Sequence, residues 1–143
     1  MVAMQIHGSC AARDGAGVLL TGAPGSGKSD LVLRLRAHGF VLVADDRVDI
    51  DGCRASAPAA LAGLLEVRGV GIVRLPFQSA AELALVIELG PFVPRLPHPA
   101  RHAQLDLPLI RLDPAHPSAP ERVALALDCA LGKVVQLAGA FAA

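Results

Sequence analysis

The chain has 143 residues with 13 basic and 13 acidic side chains, so its formal net charge is zero. This length suffices for one hydrophobic core and is too short for a separate substrate domain, so residues 1–143 are predicted to form a single domain. Without a basic excess, nucleic acid is not an expected partner. No uncharged apolar run approaches the ~20 residues of a membrane span, and the N-terminus lacks the pattern of a signal peptide.

The cysteines also bear on location. Cys10, Cys53 and Cys129 are far apart and lack the spacing of metal ligands, which is typical of small core side chains in a reducing compartment. We therefore expect a cytoplasmic protein without a membrane partner. The hydrophobic content of 53% at this length further indicates that some surface is shared between subunits.

The chain opens with a predicted β-hairpin. Residues 4–12 read as one strand, residues 13–15 as a turn and residues 17–21 as a second strand. The second strand leads into residues 22–29, which read G-x-x-x-x-G-K-S and precede a helix-forming segment. A strand, this loop and a helix are the context of a phosphate-binding P-loop, and they disfavour the alternative of a Gly-rich turn that carries Lys-Ser by coincidence.

The residue types of this loop suit a bound phosphate chain. Its glycines allow successive backbone N–H groups to point inward at phosphate oxygens. Lys28 supplies a positive charge for the β- and γ-phosphates, and the Ser29 hydroxyl can bind Mg²⁺. Lys28 and Lys133 are the only lysines in the chain, so a compact ammonium is placed here where arginine is used elsewhere. The predicted nucleotide-binding residues are Gly22, Ala23, Pro24, Gly25, Ser26, Gly27, Lys28 and Ser29.

Two adjacent carboxylates follow the next predicted strand. Residues 28–38 have helical spacing of apolar side chains and end at Gly39, and residues 40–44 are typical of a buried strand. If this unit is a right-handed βαβ crossover, the new strand is parallel to the P-loop strand and ends at the same edge. Asp45 and Asp46 would then lie by the phosphates, one directed to Mg²⁺ and one to the proton of an attacking hydroxyl. The alternative is a solvated acidic turn that enters another hairpin.

The later sequence is less distinctive. It predicts a short helix or loop over residues 55–65, strands over residues 84–89 and 107–112, and a Pro-rich loop between these strands. Ser118 and Glu121 match a capping box that opens a C-terminal helix. The predicted fold is an α/β P-loop nucleotide-binding domain with a mixed central sheet, an N-terminal hairpin and a C-terminal helix.

Two further features lie outside the P-loop. Residues 65–72 read L-E-V-R-G-V-G-I, and the two glycines after Arg68 indicate a tight turn or a close approach to a ligand, with a surface turn as the alternative. His7 lies one strand away from the phosphate site. An isolated histidine in a strand is more often structural than catalytic.

Together these segments resemble the catalytic domain of the HPr kinase/phosphorylase family. The resemblance covers about residues 4–75 and rests on I-H-G at residues 6–8, the P-loop, L-V-A-D-D at residues 42–46 and L-E-V-R-G-V-G-I at residues 65–72. Family members phosphorylate a seryl hydroxyl of the phosphocarrier protein HPr with ATP or another phosphate donor, and reverse this by phosphorolysis, which gives pyrophosphate. The resemblance therefore implies ATP and Mg²⁺ as cofactors and an HPr-type protein as substrate.

The resemblance also implies individual roles. Asp46 would accept the seryl proton in the forward direction and return it in reverse, with Asp45 beside it. Arg95, in V-P-R-L-P, is similar in place to a catalytic arginine of the family. The implied catalytic residues are Asp46, His7, Lys28, Arg95 and Asp45, and the implied Mg²⁺ ligands are Ser29 and Glu66.

The sequence departs from the family pattern in places. It begins close to His7 and so looks like a short form without the N-terminal domain of fuller members. The family segment V-R-P-G-R-N, associated with phosphorolysis, corresponds to residues 109–114, L-I-R-L-D-P, which keep at most Arg111. The sequence therefore leaves the reverse reaction open. The family is hexameric, so a homo-oligomer is expected.

Two other classes of protein compete with this interpretation. A P-loop kinase for small molecules would need a second lid, for which the Pro-rich segment over residues 91–99 is short. A non-catalytic nucleotide-sensing module would need residues 22–29 alone, and the carboxylates Asp45, Asp46 and Glu66 would then be dispensable.

Overall fold

The computed structural model describes residues 4–142, which contain ten β-strands and two α-helices. Two 3₁₀ turns, Arg36–His38 and Ala59–Leu61, lie between them. No helix within the described residues is long and apolar enough to cross a bilayer. The strands are β1 (Met4–His7), β2 (Ser9–Arg13), β3 (Ala16–Thr21), β4 (Val41–Ala44), β5 (Arg47–Asp51), β6 (Arg54–Ser56), β7 (Leu64–Val67), β8 (Gly71–Arg74), β9 (Ala81–Leu89) and β10 (Leu109–Leu112), and the helices are α1 (Lys28–Leu35) and α2 (Ala119–Ala130).

The central sheet is mixed, as predicted. Its eight strands lie in the order β1-β5-β6-β9-β3-β2-β4, with β10 paired to β9. β9 is parallel to both β3 and β10, whereas the pairs that involve β2, β5 and β6 are antiparallel. β7 and β8 form a separate antiparallel hairpin.

The strand after α1 has the predicted direction, but it does not lie next to β3. β2 pairs antiparallel with β3 on one side and with β4 on the other, so β4 runs parallel to β3 with β2 between them. The crossover through α1 therefore skips one strand. Because parallel strands end at the same edge of a sheet, the segments that follow β3 and β4 meet there.

Both faces of the sheet are buried, which explains the continuous apolar run of β3. Val18 and Leu20 pack in a cluster with Leu31 of α1 and Val123 of α2, whereas Leu19 belongs to a cluster on the opposite face. Burial of one such aliphatic side chain contributes about 1.5–3 kcal/mol. The packing therefore fixes α1 against the sheet, directly after the P-loop.

The strand predicted over residues 4–12 is in fact two strands, separated at Gly8. A Cβ atom at Gly8 would lie 2.6 Å from the carbonyl oxygen of Leu20, so only glycine allows this approach to β3. The Gly8 N–H also donates to the carbonyl oxygen of Asp46 at 3.1 Å. Gly8 therefore joins the start of β2 both to the strand that leads into the P-loop and to the turn after β4.

We expect Gly8→Ala to lower the free energy of unfolding by about 1–3 kcal/mol, as overpacking commonly does. Gly90→Ala is a matched control, because the Cβ position of Gly90 has open space around it and neither glycine has a positive φ. Urea unfolding followed by circular dichroism measures both variants. Equal stability of the two would contradict the close approach at Gly8.

The capping box predicted for α2 is wrong. Ser118 occupies the N-cap position, but its side chain makes no capping hydrogen bond. Its hydroxyl instead accepts a hydrogen bond from Arg122 Nε at 2.9 Å. Glu121 Oε1 lies 3.8 Å from His38 Nε2, near the end of the segment that follows α1. Both side chains of the expected box are thus engaged with other side chains.

Candidate active site

The P-loop connects β3 to α1 in a conformation suited to an anion. Gly25 and Gly27 have φ of 79° and 98°, values that glycine adopts readily. α1 begins at Lys28, directly after Gly27. Loop amides and the positive end of the helix dipole are therefore available at the same place, which is the arrangement that binds phosphate.

Lys28 lies folded against this loop. Its ammonium donates to the carbonyl oxygens of Gly22 at 2.9 Å and Ala23 at 3.0 Å, and the residue is 7% exposed. Burial lowers the pKa of Lys28, while the charges of Asp45 and Asp46 act in the opposite direction. The ammonium is partly desolvated and close to two carboxylates, and a polyanion that binds beside it would further stabilise its charged form.

Asp45 is joined to the start of α1. The Ser29 hydroxyl lies 2.7 Å from Asp45 Oδ1 and 2.9 Å from Oδ2. Asp45 is 7% exposed, and a buried carboxylate needs such donors to offset its lost hydration. The βαβ geometry therefore brings the predicted Asp45 to the P-loop serine.

A second hydroxyl reaches the same carboxylate. Ser9 is fully buried, and its Oγ donates to Asp45 Oδ1 at 2.7 Å. Sequence reasoning did not single out Ser9, because a lone serine at the start of a strand has no distinctive pattern. The contact depends on the insertion of β2 beside β4, where Cys10 pairs with Ala44.

Asp46 occupies a strained turn between β4 and β5. Its φ is 70°, and the Arg47 N–H donates to the Asp45 carbonyl oxygen at 2.8 Å, which is the hydrogen bond of a rare three-residue γ-turn. Asp46 Oδ1 lies 3.6 Å from His7 Nδ1, and the two side chains are 61% and 50% exposed. A carboxylate and an imidazole are thus paired where a substrate can reach them.

These elements surround a cleft of about 560 Å³ whose lining includes His7, Lys28, Ser29 and Asp46. Glu66, in β7, also lines the cleft. The structure therefore brings together six of the seven predicted catalytic and metal-binding residues, counting Asp45 through its hydrogen bonds to Ser29.

Arg68 is a further cleft residue that the sequence prediction did not include among the site residues. One guanidinium nitrogen, Nη2, lies 3.9 Å from the position that a Cβ atom would take at Gly25. The sequence signal was available, because Glu66 and Arg68 are two residues apart and such residues share a side of an extended chain. Arg68 brings a second positive charge to the P-loop.

The donor atoms of the cleft fit a nucleotide-bound Mg²⁺. Within residues 4–142, no group of three or more His, Cys, Asp or Glu side chains is arranged to hold a metal. Mg²⁺ bound with a nucleotide takes most ligands from water and phosphate, and one or two from protein carboxylates. The Ser29 and Asp45 pair supplies the hydroxyl and the carboxylate that P-loop NTPases use. The role of Glu66 as a ligand stays a prediction.

Arg95 is not part of this cleft. It lines a second cleft of about 580 Å³, together with Arg111 and Arg122. Arg111 Nε lies 3.4 Å from Glu88 Oε1. Neither Arg95 nor Arg111 is among the residues that line the P-loop cleft in the described part of the chain, and the catalytic role of Arg95 stays a prediction from resemblance.

The chain has the features of a P-loop nucleotide-binding domain. A strand leads into a Gly-rich loop, a helix follows that begins with a buried lysine, and carboxylates come after the next parallel strand. Comparison with known families narrows this class. The protein-family model described as the HPr Serine kinase C-terminal domain matches residues 2–90. The chain belongs to this family.

Individual proteins of similar sequence support the family assignment. The HPr kinase/phosphorylase of Lactobacillus delbrueckii subsp. bulgaricus is 40% identical over 97 residues, which cover 59% of this chain and 31% of that protein. The protein of the same name from Clostridium novyi is 46% identical over 76 residues, which cover 50% of this chain and 25% of that protein. The matched region thus spans between a quarter and a third of these curated relatives.

A solved structure has a similar fold over most of the chain. It is described as the Hpr(Ser) kinase/phosphatase from Coxiella burnetii, and it superposes with a TM-score of 0.73 at 26% identity. The superposition covers 91% of this chain and 92% of that chain. The predicted α/β P-loop fold is confirmed.

Proposed function

We propose that this chain is an ATP-dependent protein-serine kinase that acts on an HPr-type phosphocarrier protein. The observation that carries the proposal is the contact of 3.6 Å between His7 Nδ1 and Asp46 Oδ1. It lies in the same cleft as Lys28 and Ser29. A nucleotide-sensing module needs the P-loop alone, whereas a kinase also needs a proton acceptor within reach of the attacking hydroxyl.

The proposed reaction is a single phosphoryl transfer. The seryl oxygen attacks the γ-phosphorus of ATP, and the bond from this phosphorus to the β–γ bridging oxygen breaks, so that ADP leaves. Asp46 takes the proton from the seryl hydroxyl, and His7 lies beside it to stabilise the carboxylate in the required position. Such a transfer depends mostly on placement and charge neutralisation.

Charge neutralisation is assigned to the loop and to the residues around it. Lys28 and the loop amides would bind the β- and γ-phosphates, and Ser29 with Asp45 would hold Mg²⁺. When bound, Mg²⁺ supplies Lewis-acid stabilisation of charge on the phosphate oxygens. Asp45 is 7% exposed, and its Oδ1 lies 2.7 Å from the Ser29 hydroxyl, which places the two groups together at the start of α1.

We expect Arg68→Ala to lower kcat/KM for phosphoryl transfer about 10- to 100-fold, the loss typical of one hydrogen bond to a charged group. Arg74→Ala is the matched control, because Arg74 is an exposed arginine of the same hairpin that does not line the cleft. Steady-state kinetics with ATP and the phosphate acceptor measure both. Equal kinetics of the two variants would remove Arg68 from the site.

One experiment tests the whole assignment. The protein is incubated with HPr, ATP and Mg²⁺, and HPr is then examined by mass spectrometry for phosphoserine. We expect one phosphoryl group on one serine. Phosphorylation of members of a panel of small acceptors, with none on HPr, would instead favour a small-molecule kinase. Retained ATP binding without transfer to any acceptor would favour a sensing module.

The reverse reaction is tested in a second step. Inorganic phosphate is added to the phosphorylated HPr after removal of ATP, and pyrophosphate is measured together with loss of phosphoserine. In this direction inorganic phosphate attacks the phosphorus of the phosphoserine, and the bond from this phosphorus to the seryl oxygen breaks. Asp46 returns a proton to the departing seryl oxygen. The two steps report on kinase and phosphorylase activity separately.

We also propose a cytoplasmic location and self-association of the chain. Leu96 and Leu125 are 68% and 55% exposed and line the same cleft as Arg95, and contiguous exposed apolar surface commonly marks a protein interface. Light scattering after size-exclusion chromatography measures the assembly, for which the family resemblance implies a hexamer.

A further inference from the structure

Ser9 is the buried side chain of the site to which the kinase mechanism gives no role. It is fully buried at the start of β2, where the following residues Cys10, Ala11 and Ala12 are small and apolar. Its hydroxyl donates to Asp45 Oδ1 at 2.7 Å. An unmet hydroxyl at this depth would cost free energy, so the hydrogen bond to Asp45 accounts for a serine among apolar neighbours.

The hydroxyl groups of Ser9 and Ser29 contact different numbers of oxygen atoms in the Asp45 carboxylate. Ser9 contacts Oδ1 alone, whereas Ser29 lies 2.7 Å from Oδ1 and 2.9 Å from Oδ2. An ionised carboxylate has about four acceptor sites, so Oδ1 is shared by both donors and Oδ2 retains more acceptor capacity. The Ser29 oxygen also keeps lone pairs for a cation while its hydrogen points to Asp45.

We propose that Ser9 is a positioning residue that fixes the Asp45 carboxylate so that Asp45 and Ser29 together hold the Mg²⁺ of the bound nucleotide. This inference rests on the proposed function and names a residue that lines the P-loop cleft and acts through Asp45. Removal of a residue that hydrogen-bonds to a metal ligand commonly lowers metal affinity about 10- to 100-fold.

The test measures binding rather than turnover. Affinity for ATP is determined by calorimetry with Mg²⁺ and with a chelator, and Mn²⁺ binding to the nucleotide complex is followed by electron paramagnetic resonance. We expect Ser9→Ala to weaken Mn²⁺ binding about 10- to 100-fold and to leave metal-free ATP affinity unchanged. Ser56→Ala, at a serine of another strand of the sheet, should match the wild type in both measurements.

A double-mutant cycle separates positioning from a general loss of packing. Because Ser9 acts through Asp45, Ser9→Ala should have little further effect on Mn²⁺ affinity when Asp45→Asn is already present. Ser9→Thr, which keeps the hydroxyl, should restore Mn²⁺ affinity, and Ser9→Cys provides a near-isosteric variant with a weak donor if Ser9→Ala does not fold. Wild-type Mn²⁺ affinity in Ser9→Ala would overturn the inference, as would an undiminished Ser9→Ala effect beside Asp45→Asn.

The binding measurements need no phosphate acceptor. The role of Ser9 and the proposed kinase activity are therefore tested independently of each other. If the wild-type protein fails to phosphorylate HPr while Ser9→Ala still weakens metal binding, the acceptor is wrong and the role of Ser9 stands. If HPr is phosphorylated and Ser9→Ala binds Mn²⁺ normally, the kinase stands and the role of Ser9 does not.

Discussion

Asp46→Asn should decrease serine phosphorylation about 10²–10⁴-fold, the usual contribution of a positioned base, while ATP affinity remains close to that of the wild type. The amide of asparagine cannot take up the seryl proton, but it keeps the shape of the side chain. Asparagine and aspartate are also the non-glycine residues most often found at positive φ, so the turn at 70° is retained.

The measurement pairs calorimetry of ATP binding with the initial rate of phosphoserine formation. Asp51→Asn is the control, because Asp51 is an exposed aspartate at the far end of β5 from Asp46. We expect Asp51→Asn to keep both ATP affinity and rate. Unchanged turnover in Asp46→Asn would refute its assignment as the base.

Lys28→Met should weaken ATP binding about 10²-fold or more, as expected when one member of a desolvated charge pair is removed. Methionine keeps the buried stem of the side chain and removes the ammonium that donates to Gly22 and Ala23. Lys133→Met is the control, because Lys133 is exposed and is the only other lysine. Wild-type ATP affinity in Lys28→Met would exclude the lysine from phosphate binding.

The pH dependence of ATP binding gives a second readout of Lys28. Burial lowers the pKa of Lys28 despite the opposing charges of Asp45 and Asp46. The free protein therefore begins to lose this proton at a lower pH than an exposed lysine would. ATP affinity should decline as pH rises through this pKa, and the decline should be absent in Lys28→Met, because methionine does not titrate.

The parts of the site that are local in sequence could be predicted. Residues 22–29 form a continuous loop whose glycines, lysine and serine each have a direct chemical reason to be there. Asp45 and Asp46 could be placed beside the loop by a general rule, because strands joined through a right-handed helical crossover end at the same edge. The rule succeeded although another strand lies between β3 and β4.

The parts that depend on packing between distant segments could not be predicted. The break at Gly8 follows from contact with the Leu20 carbonyl oxygen, which is visible only once β2 is placed against β3. Ser9 and Asp45 meet because β2 lies beside β4. Arg95 was assigned from resemblance across a Pro-rich loop, whose path carries no periodicity from which to predict its place.

The position of β3 within the sheet has a consequence for how the protein is made. Among the residues that the structure describes, those lining the P-loop cleft run from His7 to Arg68, whereas β3 needs β9, which begins at Ala81, as its partner on one side. A ribosome synthesises the chain from the N-terminus, so all of these cleft residues exist before β3 can be paired on both sides. The nascent chain should therefore acquire its capacity to retain ATP late, when translation of β9 completes the sheet around the P-loop strand.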